Sequence, residues 1–200
     1  LIQISSAHAV EREFRVLRAL RQTDVPVPEA LLLCEDAAVV GTPFYVMELV
    51  NGRIISDSTL LGMSARSERT AAYASTAETL TKIHRLDFRA LGLADYGHNQ
   101  GIYFGRQVET LPRKEDAGPF AGLTKVMNDL RGLSAAVPDR VTLVHGDFYV
   151  DNVVFHPTAL RVIAVLDWEL STLGHPLADL ANLCILHHLP AAADAATMGI

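Results

Sequence analysis

The sequence contains no apolar run long enough to cross a bilayer. Its longest apolar segments, such as ALLLC and VIAVL, are far shorter than the roughly 20 residues that a spanning helix needs. It opens without the basic segment, apolar stretch and cleavage site of a signal peptide. Cysteine is scarce, and Cys34 and Cys184 sit inside apolar segments without metal-ligand spacing, as small core residues do in a reducing compartment. These absences predict a cytoplasmic protein that does not engage a membrane.

Basic tracts are also missing. With 17 lysines and arginines against 23 aspartates and glutamates, the chain carries a net charge of −6 at pH 7, which argues against nucleic acid as the main partner. A nucleotide could still bind where a metal ion or a few side chains supply local positive charge. Half of the residues are apolar, enough to bury a substantial core in one large domain or two small lobes. Nothing in the composition predicts an oligomeric state.

The hydrophobic patterns predict an α+β fold, with a small sheet at the front and helices at the back. The stretch SAHAVEREFRVLRAL carries apolar residues at helical spacing, and the prolines of TDVPVPEA end it. LLLCED and PFYVMEL have the composition of strands, and VTLVH, NVVF and RVIAVLDW are typical of short strands around polar loops. The turn in ELVNGR is the predicted crossing point. We therefore divide the chain into a first lobe over residues 1–50 and a second lobe over residues 51–200.

A polar cluster, HGDFYVDN, interrupts two of the predicted strands. Carboxylates buried there without partners would cost several kcal/mol, so the segment is either a polar loop with Asx-type turns or a site. Phosphoryl transfer from ATP to a hydroxyl needs one carboxylate near the acceptor and separate hard oxygen ligands for Mg²⁺. The cluster offers His145, Asp147 and Asn152, and the segment VLDWE adds Asp167 and Glu169 at the end of an apolar strand.

A strand–loop–strand hairpin would bring these two polar segments side by side. Asn152 and Asp167 could then share a cation while Asp147 points at the acceptor, which would be activated mainly by placement and charge neutralisation. Asp167 and Glu169 are two positions apart, so in an extended chain they would face the same way. A divalent ion between them would make that pairing favourable.

At these residues the chain resembles a known family. LVHGDFYVDNVVF followed by VIAVLDWELSTLGHPLADLANL is similar to the aminoglycoside phosphotransferase and choline kinase family, relatives of the protein kinases, whose catalytic loop reads H-G-D-x-x-x-x-N. The resemblance implies a protein-kinase-like fold of two lobes that binds ATP and Mg²⁺. It further implies that Asp147 is the catalytic base, that His145 shapes the loop, that Asn152 and Asp167 are magnesium ligands, and that Glu169 is a further ligand.

More narrowly, SAHAVEREFRVLRAL, VPVP, FYVMELVNGR and VIAVLDWELSTLGHPLADLA are similar to the kinase-like domain of acyl-CoA dehydrogenase family members 10 and 11. By this resemblance Glu13 is the first-lobe glutamate that pairs with a strand lysine. The backbone around Glu48, Leu49 and Val50 matches the hinge that hydrogen-bonds adenine. Asp179 resembles the buried aspartate that anchors the catalytic-loop backbone.

The departures from the family pattern concern the two ends of the chain. No lysine precedes Glu13, and no Gly-rich loop is present. The first strands of a kinase N-lobe are absent, as are the helices that should follow Ile200 and close the acceptor pocket. We therefore expect that the start of the N-lobe and the end of the C-lobe are missing.

Hypotheses from different functional classes follow. The first is an ATP- and Mg²⁺-dependent small-molecule kinase that acts on an alcohol group. The narrower resemblance makes a hydroxyacyl-CoA the candidate acceptor, with an aminoglycoside or an amino alcohol such as choline as family-level alternatives. The second is a catalytically impaired pseudokinase or nucleotide-binding regulatory module, motivated by the absent lysine and Gly-rich loop. A structural or interaction fragment is the third, and the set of Asp147, Asn152 and Asp167 argues against it.

Overall fold

The computed structural model describes residues 6–56, 60, 63–97, 125–126, 128–129, 132, 138 and 140–185. Helices and short antiparallel strands are mixed along this part of the chain, as an α+β fold requires. In chain order the elements are α1 (Ser6–Leu20), β1 (Ala30–Cys34), β2 (Phe44–Met47), β3 (Arg53–Ile54), α2 (Arg66–Arg85), β4 (Thr142–Val144), a 3₁₀ helix (Val150–Asn152), β5 (Val153–Phe155), β6 (Val162–Val165), β7 (Thr172–Gly174) and α3 (Leu177–Ile185).

Helix α1 forms where the apolar spacing predicts it. Val16, Leu17 and Leu20 are fully buried along one face, as expected for an amphipathic helix that packs on a core. The helix ends at Leu20, before the prolines of the VPVP segment, which cannot continue it. The chain then leads into β1, which pairs antiparallel with β2.

Two further antiparallel pairings build the part of the molecule that carries the polar segments. Strands β3, β5 and β6 form one sheet in that order, while β4 pairs with β7. In the β5–β6 hairpin Val153 lies opposite Val165, so the residues before β5 and after β6 come side by side. The N–H of Val165 also donates to the carbonyl of Pro26 at 2.9 Å, which ties the hairpin to the chain that follows α1.

One cluster of buried side chains extends from α1 to the hairpin. Its largest fully buried members include aromatic residues that surround the polar loops. Helix α2 contributes Ala72, Leu80 and Ile83 to it. The aromatic members of the cluster are Phe88, Tyr96, Phe148, Phe155 and Trp168.

No helix in the described part of the chain is long and apolar enough to span a membrane.

Candidate active site

The turn that leaves β4 depends on a glycine. Gly146 has a φ of +89°, a left-handed conformation that L side chains rarely adopt. A Cβ at this position would also overlap the backbone carbonyl of Leu170. Glycine therefore serves two needs here, since it allows the turn and lets the loop after β4 approach the loop after β6.

A buried carboxylate holds this turn in place. Asp179, in the first turn of α3, has no exposed surface, and it accepts hydrogen bonds from the backbone N–H of His145 at 2.9 Å and of Gly146 at 2.8 Å. The Nε2 of His84 lies 2.8 Å from the same carboxylate. The side-chain amide of Asn182 donates to the Gly146 carbonyl at 2.9 Å. Charge-assisted bonds of this kind compensate the cost of burying the carboxylate, so the loop backbone is fixed from α3.

Asp179 lies where the family resemblance places it. Sequence reasoning missed the His84 contact, because an isolated histidine in a helix is assigned a structural or surface role by default. Its partner lies 95 positions away, and no local pattern indicates that pairing.

The His145 side chain packs and hydrogen-bonds inside the loop that follows β4. Its ring is buried, with its centroid 4.6 Å from that of Trp168 and 5.6 Å from that of Phe148. Nε2 lies 2.9 Å from the Leu166 carbonyl, and Nδ1 accepts the N–H of Asp147 at 3.3 Å. Burial lowers the pKa of the imidazole, and the Leu166 carbonyl and nearby carboxylates only partly oppose this. These bonds fit a neutral ring that carries its proton on Nε2.

Asp147 and Asn152 are directly connected. The Nδ2 of Asn152 donates to the Asp147 backbone carbonyl at 2.8 Å and to its carboxylate Oδ2 at 3.2 Å. Both side chains are half-buried. On the other side, the backbone carbonyl of Asn152 accepts the N–H of Leu166 at 2.9 Å. The predicted hairpin therefore forms and places Asn152 beside the segment that carries Asp167.

The conformation after β6 differs from the prediction in one respect. Asp167 has a φ of +62°, so the chain turns there instead of continuing as a strand. The chain is therefore not extended at Asp167, which was the condition for expecting Asp167 and Glu169 to share one face. Trp168 is fully buried between them, while both acidic residues are exposed. Aspartate adopts a left-handed backbone more readily than most residues that carry a Cβ, but the sequence DWE contains no glycine and does not by itself predict a turn at this position.

Glu13 reaches from α1 to this same turn. Its Oε1 accepts the backbone N–H of Trp168 at 3.2 Å, and its carboxylate also hydrogen-bonds the Tyr45 side chain. Burial raises the pKa of Glu13, and the charges of Asp167 and Glu169 raise it further, while its two hydrogen bonds act in the opposite direction. The Glu13 carboxylate thus connects Tyr45 of β2 with the turn at Trp168 that follows β6.

The predicted hinge follows β2. The N–H of Glu48 donates to the Glu29 carbonyl at 2.9 Å, and the Glu48 carboxylate accepts the N–H of Glu29 at 3.2 Å. Leu49 is 94% exposed and Val50 is partly buried. Because the Glu48 N–H is already bonded within the protein, the expected adenine contacts fall to the other backbone groups of Glu48, Leu49 and Val50.

The donor set around the hairpin fits Mg²⁺. Within the described residues there is no group of three or more histidines, cysteines, aspartates or glutamates arranged to hold a metal, so a closed protein cage of the zinc type is not present there. Mg²⁺ instead prefers hard oxygens, takes one or two carboxylates from the protein and completes its shell with phosphate and water. Asp167 offers an exposed carboxylate, and the Asn152 amide directs its nitrogen at Asp147, so its oxygen remains as the donor on the other side.

Comparison with known proteins agrees with these features. A model of the phosphotransferase enzyme family matches residues 2–198. Acyl-CoA dehydrogenase family member 11 of Mus musculus is 47% identical over 190 residues, which cover 94% of this chain and 24% of that protein. The chain thus spans about a quarter of the length of this curated relative.

Two solved structures are similar over most of the chain. One is a protein of Ralstonia eutropha that is provisionally classed as an aminoglycoside phosphotransferase. It is 42% identical, with a TM-score of 0.77 over 96% of this chain and 61% of the other. The second is an aminoglycoside phosphotransferase of Streptomyces rimosus in complex with ADP and streptomycin. It is 20% identical, with a TM-score of 0.59 over 92% of this chain and 68% of the other. The predicted resemblance and the predicted protein-kinase-like fold are confirmed.

Proposed function

Because this chain belongs to the phosphotransferase enzyme family, we propose that it works as a small-molecule kinase which transfers the γ-phosphoryl group of ATP to an alcohol. One observation carries this proposal: the β5–β6 hairpin brings Asn152, which is bonded to Asp147, next to the segment that holds Asp167. A loop with only a structural role has no need of these three oxygen-bearing side chains at one end of a hairpin.

Asp147 is the proposed catalytic base. An acceptor hydroxyl placed beside its carboxylate would give up its proton to it as the hydroxyl oxygen bonds to the γ-phosphorus. The bond from that phosphorus to the bridging oxygen breaks, and ADP leaves. The Asn152 amide and the His145 ring support the Asp147 backbone from two sides. Asp147 is thereby positioned before the acceptor arrives, which lowers the entropic cost of the reaction.

Asn152 and Asp167 are the proposed magnesium ligands, with Glu169 as a further candidate. When bound, the ion would offset the negative charge of the nucleotide phosphates. The hydrogen bond from Leu166 to Asn152 joins the two ligand-bearing segments. Residues 166–171, which follow β6 and carry Asp167 and Glu169, are called the metal loop below. Glu13 is bonded to this loop through the N–H of Trp168, so it is proposed to orient the loop as well as to contact the nucleotide.

The nucleotide is proposed to lie along the segment from Glu48 to Val50, which would contact adenine through its backbone. Support comes from the similar fold of the Streptomyces rimosus enzyme, whose structure contains ADP. We further propose that the first lobe comprises residues 1–50 and the second residues 51–200, with the nucleotide at their junction.

A hydroxyacyl-CoA is the proposed acceptor. The proposal draws on similarity to acyl-CoA dehydrogenase family members 10 and 11, since a kinase segment within such a protein would suit a related thioester carrying a hydroxyl. An aminoglycoside, as in the Streptomyces rimosus structure, and an amino alcohol are the alternatives to be tested beside it. The pseudokinase hypothesis rests on the absent lysine and the absent Gly-rich loop, and the hairpin does not favour it.

The test is a screen of the intact protein for ADP release with Mg²⁺·ATP and a panel of hydroxyacyl-CoAs, aminoglycosides and amino alcohols. We expect acceptor-dependent ADP release that Asp147→Asn abolishes, because only the base is lost. Asp151→Asn is the matched control, since this exposed neighbour lies in the same loop and should retain turnover. Acceptor-dependent release that survives in Asp147→Asn would refute the assigned role. A wild-type protein that binds nucleotide but never turns over would favour the pseudokinase.

A further inference from the structure

Arg12, the neighbour of Glu13 on α1, contacts the far end of the metal loop. Its guanidinium donates to the carbonyl of Ser171 at 3.0 Å and to the carbonyl of Tyr96 at 3.0 Å. The guanidinium carbon also lies 4.4 Å from the centre of the Tyr96 ring, within range of a cation–π interaction. Arg12 therefore binds two distant segments of chain at once, one of which is the loop that carries Asp167.

Tyr96 closes this connection from the opposite side. Its ring is buried, and its hydroxyl lies 2.7 Å from the Oγ of Ser171 and 3.2 Å from the carbonyl of Arg12. Since each hydroxyl carries one proton, the shorter contact assigns the Tyr96 proton to Ser171. The Oγ of Ser171 in turn donates to the carbonyl of Trp168. The hydroxyls of Tyr96 and Ser171 thus form a hydrogen-bonded path from the 91–97 segment to the Trp168 carbonyl, while the Arg12 guanidinium binds backbone carbonyls of the same two segments.

The loop is anchored at both of its ends. At the start, the N–H of Trp168 is bound by Glu13, and at the other end the carbonyl of Ser171 is bound by Arg12. Asp167 stands immediately before the first anchor with a positive φ, a conformation that is unfavourable for a residue with a Cβ and persists only where the surroundings hold it.

We propose that Arg12, Tyr96 and Ser171 are positioning residues that hold the Asp167 carboxylate in its metal-binding orientation. This inference rests on the proposed function, in which Asp167 is a magnesium ligand. The sequence assigned no role to any of the three, although Arg12 and Ser171 lie within the stretches that resemble the family. They act through the backbone of the loop, so their loss should weaken metal binding without removing any ligand. Outer groups that orient ligands typically contribute 10- to 100-fold in metal affinity.

The test measures Mn²⁺ binding, by electron paramagnetic resonance, to the intact protein in the presence of ADP. Metal-free ADP affinity and the thermal midpoint are recorded in parallel. In Tyr96→Phe the ring and its packing are kept while the hydroxyl is lost, and in Arg12→Gln both backbone contacts are lost. We expect each to weaken Mn²⁺ binding by roughly tenfold with metal-free ADP affinity unchanged. Arg12→Lys, which keeps a donor and the charge, should recover part of the loss.

Arg15→Gln is the matched control. Arg15 lies on the same helix and binds Asp95 and the Gly92 carbonyl in the 91–97 segment. Its guanidinium carbon lies 6.0 Å from the centre of the Tyr96 ring, farther than that of Arg12, and none of its described hydrogen bonds reaches the metal loop. Its loss should lower the thermal midpoint and leave Mn²⁺ affinity unchanged. Variants of Arg12 and Tyr96 that lower only the thermal midpoint, like this control, would overturn the inference while leaving the proposed function intact. A wild-type protein without metal-dependent nucleotide binding, and with Asp167→Asn no different, would overturn both.

Discussion

The side-chain amide of Asn152 donates to the carboxylate of Asp147 at 3.2 Å while its backbone carbonyl accepts the N–H of Leu166 at 2.9 Å. One residue therefore links the proposed base to the proposed metal loop. The two atoms of its side-chain amide have different proposed roles. The nitrogen bonds Asp147, and the oxygen would bind the metal, so substitutions at Asn152 can separate the two roles.

The first prediction separates these roles with Asn152→Ala and Asn152→Asp. The alanine variant loses both the donor and the oxygen, so it should need roughly 10- to 100-fold more Mg²⁺ for half-maximal rate and also turn over more slowly. The aspartate variant keeps an oxygen donor, so it should retain most Mg²⁺ affinity and lose mainly kcat, since its charge repels Asp147. Rates measured across a Mg²⁺ titration distinguish the two. Equal Mg²⁺ requirements in all three proteins would contradict the assignment.

The second prediction concerns Gly146 and uses Gly92 as its control. Both glycines have positive φ, +89° and +71°, but a Cβ at Gly92 would have no neighbour within 4 Å. Gly92→Ala should therefore cost only the conformational strain, roughly 1–2 kcal/mol of unfolding free energy. Gly146→Ala adds the overlap with the Leu170 carbonyl and should cost clearly more. Urea unfolding of the two variants gives the comparison, and equal losses would show that the close approach is not needed.

The third prediction concerns the buried Asp179. His84→Ala removes one of its partners, while the Asp179→Ala variant leaves the N–H groups of His145 and Gly146 without their acceptor. An unsatisfied buried polar group costs roughly 1–3 kcal/mol, so both should lose unfolding free energy, and Asp179→Ala should lose more. His156→Ala is the control, since that ring bonds only Thr158 of its own turn in the described contacts. A loss in His84→Ala no greater than in the control would argue against the contact.

The fourth prediction is a pH dependence of stability from His145. Burial lowers the pKa of this ring below its usual value of 6.5, so between the folded and unfolded values the unfolded chain binds more protons. Stability from this group is therefore complete above about pH 6.5 and is lost as the pH falls toward the folded value. Unfolding free energies of wild type and His145→Gln should converge on acidification below pH 6.5. Because all other groups are the same in the two proteins, a difference in unfolding free energy that stays constant with pH would exclude this effect.

The hairpin and its polar ends could be predicted because their signals are local. Apolar strands flank HGDFYVDN on both sides, and the short connection between NVVF and RVIAVL leaves little choice but antiparallel pairing. The face of α1 was equally readable, since Val16, Leu17 and Leu20 recur at helical spacing.

The supporting contacts could not be predicted from the sequence. Arg12 meets the Ser171 carbonyl across 159 positions, and its charge alone suggests only an exposed helix face. Aspartate tolerates a left-handed backbone better than most residues, but the contacts that hold Asp167 in it come from the assembled fold. Such features depend on the assembled fold. A motif search therefore finds the proposed catalytic and metal-binding residues but misses the residues that position them.

Trp168 is the single tryptophan of the chain, and it lies between the acidic side chains of the metal loop with its backbone N–H on Glu13. Its indole is packed against the His145 ring, and its Nε1 donates to the Val165 carbonyl at 3.1 Å. The protein therefore contains an intrinsic fluorophore at the point where α1, the proposed catalytic loop and the proposed metal loop meet. Its intrinsic emission can follow movement of that junction during nucleotide titrations without any attached dye.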